Sequence, residues 1–279
     1  MAYTPATTAS NYLPMNHLPP LWTQSTEAAC LRQSLQSGGR SVLMLDYDGT
    51  LAPFRIDRFQ AVPYGGVEDR LEVLSRLSTV RLVLVSGRSA RELAKLLRPG
   101  IKVEIWGSHG QEQLRSDGSY QLFALDPTRR NALDAARMKL TDLGLAGRLE
   151  VKPSSVAVHW RGVDASAQDW IRSAAESVFA QVAEPASLEL LPFDGGLELR
   201  STDRTKGTAV RQILSQESGS RPVAYLGDDL TDEDAFEAMG SRGYSVLVRA
   251  EVRESAARFW LRPPEELLEL LDNWIAGAS

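Results

Sequence analysis

With 279 residues, 43% of them hydrophobic and 24% charged, the chain can bury a sizeable core and is long enough for two moderate domains. A net charge of -5 and a pI near 5.4, with arginines scattered among acids, give no basic field for a nucleic-acid backbone, so nucleic acid is not an expected partner. The single cysteine, Cys30, excludes an internal disulfide and a paired-thiolate zinc site, which suits a reducing cytoplasm, and no apolar run approaches the ~18 residues of a membrane span.

Residues 1–25 lack the basic start and apolar centre of a signal peptide and are read as a mobile leader. From residue 41, "SVLMLDYDGTL" runs an apolar strand into Asp46 and Asp48. A helix follows, with Val67, Leu71, Leu74 and Leu77 at helical spacing. "TVRLVLVSGRS" predicts a second strand, "ARELAKLL" a helix and "KVEIWGSHG" a third strand. Runs that are apolar on both faces and joined by helices predict a parallel sheet covered on both sides.

The pattern changes from Gln113 to Gly196, where paired strands with polar turns ("KPSS", "FDGG") alternate with two long helices. This predicts an α+β unit, an antiparallel sheet carrying helices on one face. The first pattern then resumes with "KGTAVRQILSQES", "PVAYLGDD", "DEDAFEAMG", "YSVLV" and "PEELLELLDNWIAG". The α+β unit is therefore expected as an insertion over 113–196 in a core formed by 26–112 and 197–279.

Open parallel sheets bind ligands beyond the carboxyl ends of their strands. Here those ends carry Asp46 and Asp48, Ser86 and Arg88, and Asp228 and Asp229. Any one of them could be a strand-ending turn residue; together, at one crevice, they suggest chemistry. Two carboxylates ~4 Å apart repel by about 4 kcal/mol at an effective dielectric near 20, so a cation is expected. An all-oxygen site favours a hard ion such as Mg2+. Such a site suits phosphoryl transfer with Asp46 as nucleophile and Asp48 moving the proton. Lys206, at a helix start, would offset the charge of the phosphoryl group. Thr231 with Asp234 also reads as a helix cap.

Asp46-Tyr47-Asp48-Gly49-Thr50, Ser86-Gly87-Arg88, Lys206-Gly207 and Gly227-Asp228-Asp229-Leu230-Thr231-Asp232 resemble, in order, the four motifs of the haloacid dehalogenase superfamily. The insertion between the second and third motifs, with "WGSHGQE", "VKPSSVAVHWRG" and "LELRSTDRTKG", is similar to the trehalose-6-phosphate phosphatase family. The resemblance implies a Rossmann-like three-layer α/β core with an inserted cap, and a phosphoric monoester hydrolase of trehalose biosynthesis. It implies Asp46, Asp228 and the main-chain carbonyl of Asp48 as Mg2+ ligands, with Asp229 and Asp232 in support. Ser86 and Lys206 would hold phosphoryl oxygens, with Thr50 and Arg88 beside the substrate. Ser108, His109, Gly110, Glu112, Lys152 and Glu198 match positions of sugar-binding groups, although the family more often carries Glu or Asn where this chain has Ser108. Cap closure is expected to hinge at 112–116 and 194–202. The implied protein is a cytoplasmic monomer with a small sugar phosphate as its only expected partner. Other sugar phosphates (glucosylglycerol phosphate, sucrose 6-phosphate, mannosyl-3-phosphoglycerate), a phosphomutase and a non-catalytic sugar-phosphate sensor are the alternatives.

Overall fold

A computed structural model describes residues 20, 26–36, 39–55, 60–193, 195–218 and 221–278. The expected leader over 1–25, apart from Pro20, and Asp194 of the expected hinge lie outside the described residues. The chain runs α1 (Thr26–Gln36), β1 (Ser41–Leu45), α2 (Val67–Arg76), β2 (Val80–Val85), α3 (Ala90–Leu96), β3 (Glu104–Gly107), β4 (Glu112–Leu114) and β5 (Tyr120–Leu122). It continues through α4 (Pro127–Asp142), β6 (Leu149–Lys152), β7 (Ser155–His159), α5 (Ala165–Ala183), β8 (Leu188–Phe193) and β9 (Gly196–Ser201). It closes with α6 (Lys206–Ser215), β10 (Val223–Gly227), α7 (Glu233–Met239), β11 (Tyr244–Val248), β12 (Phe259–Leu261) and α8 (Glu265–Ala278).

The larger sheet has eight strands in the order β12-β11-β10-β1-β2-β3-β4-β5, parallel as far as β3 and antiparallel beyond it. Its central strands are apolar on both faces because both are covered. Leu43 and Leu45 of β1 join a cluster with α1, α2, α3 and α8, while Val42 and Met44 join one with α6 and α7. Each such side chain, fully buried, contributes about 1.5–3 kcal/mol. Trp274 of α8 is completely buried and donates its indole N–H to Ser41 Oγ at 3.0 Å, fastening the helix to the start of β1. Trp274→Ala would cost about 3–5 kcal/mol.

The smaller sheet is antiparallel, in the order β6-β7-β9-β8. Alternation along its strands divides its faces. Val156, Val158, Leu197 and Leu199 pack with α4 and α5, leaving Ser155, Glu198 and Arg200 on the opposite face.

Two expectations need correction. Residues 113–122 extend the large sheet, because the tight turn at Ser108–Gly110 folds the chain back against the free edge of β3. Leu197–Ser201 belong to the small sheet, where β9 has partners on both sides. The hinge positions 112–116 and 194–202 therefore fall largely inside strands, and the chain crosses between the sheets at 123–126 and 202–205. There Arg204 spans both crossings, donating from Nε to the Gly110 carbonyl at 2.6 Å with its guanidinium 3.7 Å above the Phe123 ring. Strands of only three residues, β4, β5 and β12, have too little alternation to announce themselves. No helix among the described residues is long and apolar enough to cross a membrane.

Candidate active site

The sheet reverses its winding between β10 and β1, with β2 and β3 on one side and β11 and β12 on the other. Such a reversal opens a crevice at the strand ends. Asp46 and Asp48 follow β1 there, Ser86 follows β2, Ser108 and His109 follow β3, and Asp228 follows β10. The turn at Gly49 has φ 84°, and a Cβ on it would stand 2.0 Å from Asp228 Oδ2, so only glycine lets the two strand ends approach this closely.

Lys206 ties the charges together. A reciprocal Thr205–Thr208 cap starts α6 and sets Lys206 as its first residue. Its buried Nζ donates to Asp46 Oδ1 at 2.7 Å and Asp232 Oδ1 at 2.8 Å. Asp232 Oδ1 also accepts from the Tyr225 hydroxyl at 2.5 Å. Its Oδ2 accepts from the amides of Asp228 and Asp229 at 3.1 and 3.0 Å. Asp232, not Thr231 with Asp234, thus closes the turn before α7, and it does so while holding Lys206.

One lysine does not neutralise this cluster. Asp46, Asp228 and Asp232 each offer a ligand atom within 4.8 Å of the others. Burial, opposed by Lys206 and reinforced by Asp232 and Asp228, holds the Asp46 carboxyl well above the ordinary range. Burial and the Asp232 charge push Asp228 up to about 7. Asp228 Oδ1 is buried with no hydrogen-bond partner. An unsatisfied carboxylate oxygen among crowded carboxylates fits an oxygen-ligated cation, so the cluster could hold a metal.

Asp48 is placed differently. Arg88 Nε and Nη2 each donate to it at 2.6 Å, occupying both carboxylate oxygens. Arg88 is itself buried, and its Nη1 has no partner. Ser86 Oγ accepts the Arg88 amide at 3.1 Å, and Thr50 Oγ1 donates to Asp46 Oδ2 at 3.3 Å. Thr50 is fully buried and lines neither cavity of the cleft.

The small sheet forms the opposite wall. Two adjoining cavities of about 130 and 250 Å3 share His109, Lys152, Lys206 and Thr231. The second contains Asp46, Asp48, Ser86, Arg88, Asp228 and Asp229; the first lies against Ser108, Ser155, Glu198 and Arg200. Glu198 accepts from Ser155 Oγ at 2.5 Å, with Lys152 Nζ 3.7 Å away. His109 has φ 55°, and its ring lies so close over Gly87 that a Cβ there would stand 2.7 Å from it. Burial and the Lys206 charge keep this imidazole well below its ordinary pKa, hence neutral near pH 7 and able both to donate and to accept.

Two expected sugar-binding residues are engaged elsewhere. Buried Glu112 accepts from Ser108 Oγ at 2.5 Å, the Ala90 amide at 3.2 Å and the Tyr120 hydroxyl at 3.2 Å, bracing the start of α3. The Gly110 carbonyl takes the Arg204 bond, and neither residue lines the cavities. Conversely, Ser155, Arg200 and Arg204 line the cleft without having been singled out. The alternation of "LELRS", with Leu197 and Leu199 inward, was the signal that could have found Arg200 beside Glu198.

A family model described as trehalose-phosphatase matches residues 44–264. A trehalose-phosphate phosphatase of Mycobacterium marinum is 32% identical over 244 residues, covering 82% of this chain and 60% of that protein. The chain thus spans about 60% of the length of that curated relative. The C-terminal domain of C. albicans trehalose-6-phosphate phosphatase superposes with a TM-score of 0.70 at 21% identity, covering 96% of this chain and 99% of that one. A haloacid dehalogenase-like hydrolase from Bacteroides thetaiotaomicron superposes with a TM-score of 0.58 at 15% identity, covering 84% and 98% of the two chains. These two solved structures share the overall α/β fold.

Proposed function

The chain belongs to the trehalose-phosphatase family, and on that premise we propose that it hydrolyses trehalose 6-phosphate to trehalose and phosphate with Mg2+ as cofactor. The observation that carries this reading is the buried Asp46, set at the end of β1 with Lys206 at 2.7 Å, in a cleft whose far wall presents Lys152 and Glu198. A phosphate at Asp46 would project its sugar toward that wall. Residues between the crossings at 123–126 and 202–205 would serve as a cap that closes over the sugar and excludes water.

Asp46 would attack phosphorus as the bond to the sugar oxygen breaks, and the leaving oxygen would take a proton from Asp48. Water would then attack the aspartyl-phosphate while Asp48 removes its proton, releasing phosphate and restoring Asp46. To reach the leaving oxygen, Asp48 must give up one of its two Arg88 bonds. Lys206, Ser86 Oγ and the free Nη1 of Arg88 would hold phosphoryl oxygens. Asp46, Asp228 and the Asp48 carbonyl would hold Mg2+, which when bound would offset the negative charge of the cluster and the phosphate. Neutral His109, Lys152, Ser155 and Glu198 supply donors and acceptors suited to sugar hydroxyls. Action in the cytoplasm as a monomer is part of the proposal.

Phosphate release from a panel of sugar phosphates with Mg2+ tests it. A clear preference for trehalose 6-phosphate, lost in Asp46→Asn, is expected. Preference for another sugar phosphate would overturn the substrate, a sugar bisphosphate product would indicate a mutase, and full activity in Asp46→Asn would remove the mechanism.

A further inference from the structure

The carbonyl oxygen of Asp228 accepts two hydrogen bonds, both from cations: Arg249 Nη1 at 3.1 Å and Arg253 Nη2 at 3.2 Å. Both arginines lie in the loop joining β11 to β12. Arg249 is fixed through its main chain, where N–H donates to the Leu261 carbonyl at 3.1 Å and the carbonyl accepts from Trp260 Nε1 at 2.9 Å. Arg253 is fixed through its side chain. Its Nη1 donates to the Glu254 carbonyl at 2.7 Å and to the carboxylate of Glu233, the buried first residue of α7. Glu233 is held in turn by Ser255 Oγ at 2.9 Å and the Ala256 amide at 2.7 Å.

Asp228 is therefore gripped through its main chain on both sides, its N–H by Asp232 and its C=O by the two arginines. Its Oδ1 is left without a partner. Two guanidinium groups behind a carboxylate would repel any cation that the carboxylate binds, so as bare charges they work against the site. As clamps they favour it, because a ligand atom held in place before the ion arrives loses no freedom on binding.

We propose that Arg249 and Arg253 are positioning residues for the metal site, holding the Asp228 main chain so that Oδ1 is presented to the ion; this rests on the Mg2+ reading given above. Glu233 acts one step further out, by fixing Arg253. Outer partners of this kind affect metal affinity by roughly 10–100-fold.

The test is Mg2+ titration by calorimetry on phosphate-free protein, with metal-free melting measured in parallel. Binding by the native protein and its loss in Asp228→Asn tests the metal reading; if the native protein binds no Mg2+, that reading fails and takes the inference with it. Given binding, Arg249→Met is expected to weaken it about tenfold or more with little change in metal-free melting, and Arg249→Lys to recover part of the loss. Affinity equal to or tighter than native in both Arg249→Met and Arg253→Met would overturn the inference alone, since removing two repelling charges would give that result. If Arg253→Met fails to fold because Glu233 loses its partner, Arg249→Met decides, for it leaves the Glu233 contacts in place.

Discussion

On the wall formed by β1, β2 and β10, Lys206 and Asp46 meet at 2.7 Å with side chains only 4% exposed. On the wall formed by the small sheet, Lys152 stands 3.5 Å from Glu150 and 3.7 Å from Glu198 with its side chain 19% exposed. The first arrangement is costly to assemble, since buried charges lose hydration and regain it only through close, complete pairing. Folding meets that cost once, and the groups are then in place for every turnover. The second arrangement is loose, with partners far enough apart to be exchanged for hydroxyl groups at little expense. In the proposed function, reaction chemistry sits on the rigid wall and recognition on the adaptable one.

The largest effects should come from the rigid wall. Asp46→Asn removes the carboxylate proposed to attack phosphorus and is expected to reduce phosphate release by at least ~10^4-fold, measured by single-turnover assay. Asp232→Asn is expected to reduce kcat by about 100-fold although no chemical step is proposed for Asp232, because Lys206 loses the partner that aims it at Asp46. The same variant should lose about 3–5 kcal/mol in a urea melt, as removing one partner of a buried pair does. Native kcat in Asp232→Asn would show that the rigid wall does not depend on this interlock.

The rigid wall was also the legible one. Asp46, Ser86, Lys206 and Asp228 stand where an apolar run stops or a helix begins, and a strand end or helix start can be read from local pattern. The adaptable wall depends on which sheet face turns toward the cleft. That follows from pairings between residues far apart in the chain, such as Ser155 with Arg200 and Ala157 with Glu198. Glu112, in β4 of the larger sheet, raises the same difficulty. Matched as a sugar-binding group, it is bound by Ser108, Ala90 and Tyr120 because the β3-β4 hairpin turns it inward, and a three-residue β4 leaves no periodic trace of such a hairpin. Arg204 was overlooked for a related reason, since its partners Gly110 and Phe123 come near it only once both crossings are built.

Substitutions on the adaptable wall should separate recognition from chemistry. Glu198→Gln and Lys152→Met are each expected to lower kcat/KM for the sugar phosphate by about tenfold, chiefly through KM. Hydrolysis of phenyl phosphate, which has no sugar to read, should stay within about twofold of native. Equal losses on both substrates would mean that the small sheet contributes to the reaction itself, and the division between the walls would fail.

The smallest expected effect is a pH dependence that belongs to one wall alone. Burial and Asp232 raise Asp228 to about 7, against an unfolded value near ~3.9. In the metal-free protein a raised carboxyl adds stability that is complete below the unfolded value and is lost as pH rises through about 7. A cation requires the ionised carboxylate and so acts in the opposite direction, having to displace a proton below that pH. Near pH 6 apparent Mg2+ affinity should therefore be about tenfold weaker than near pH 8, and the rise in melting temperature on adding Mg2+ well above both dissociation constants smaller by about 2–4 °C. Asp228→Asn should abolish the binding and both trends with it, whereas Glu198→Gln, which does not touch Asp228, should leave them unchanged. If Glu198→Gln altered the Mg2+ trend as much as Asp228→Asn does, the two walls would be electrostatically coupled, and the rigid one would not be complete without the other.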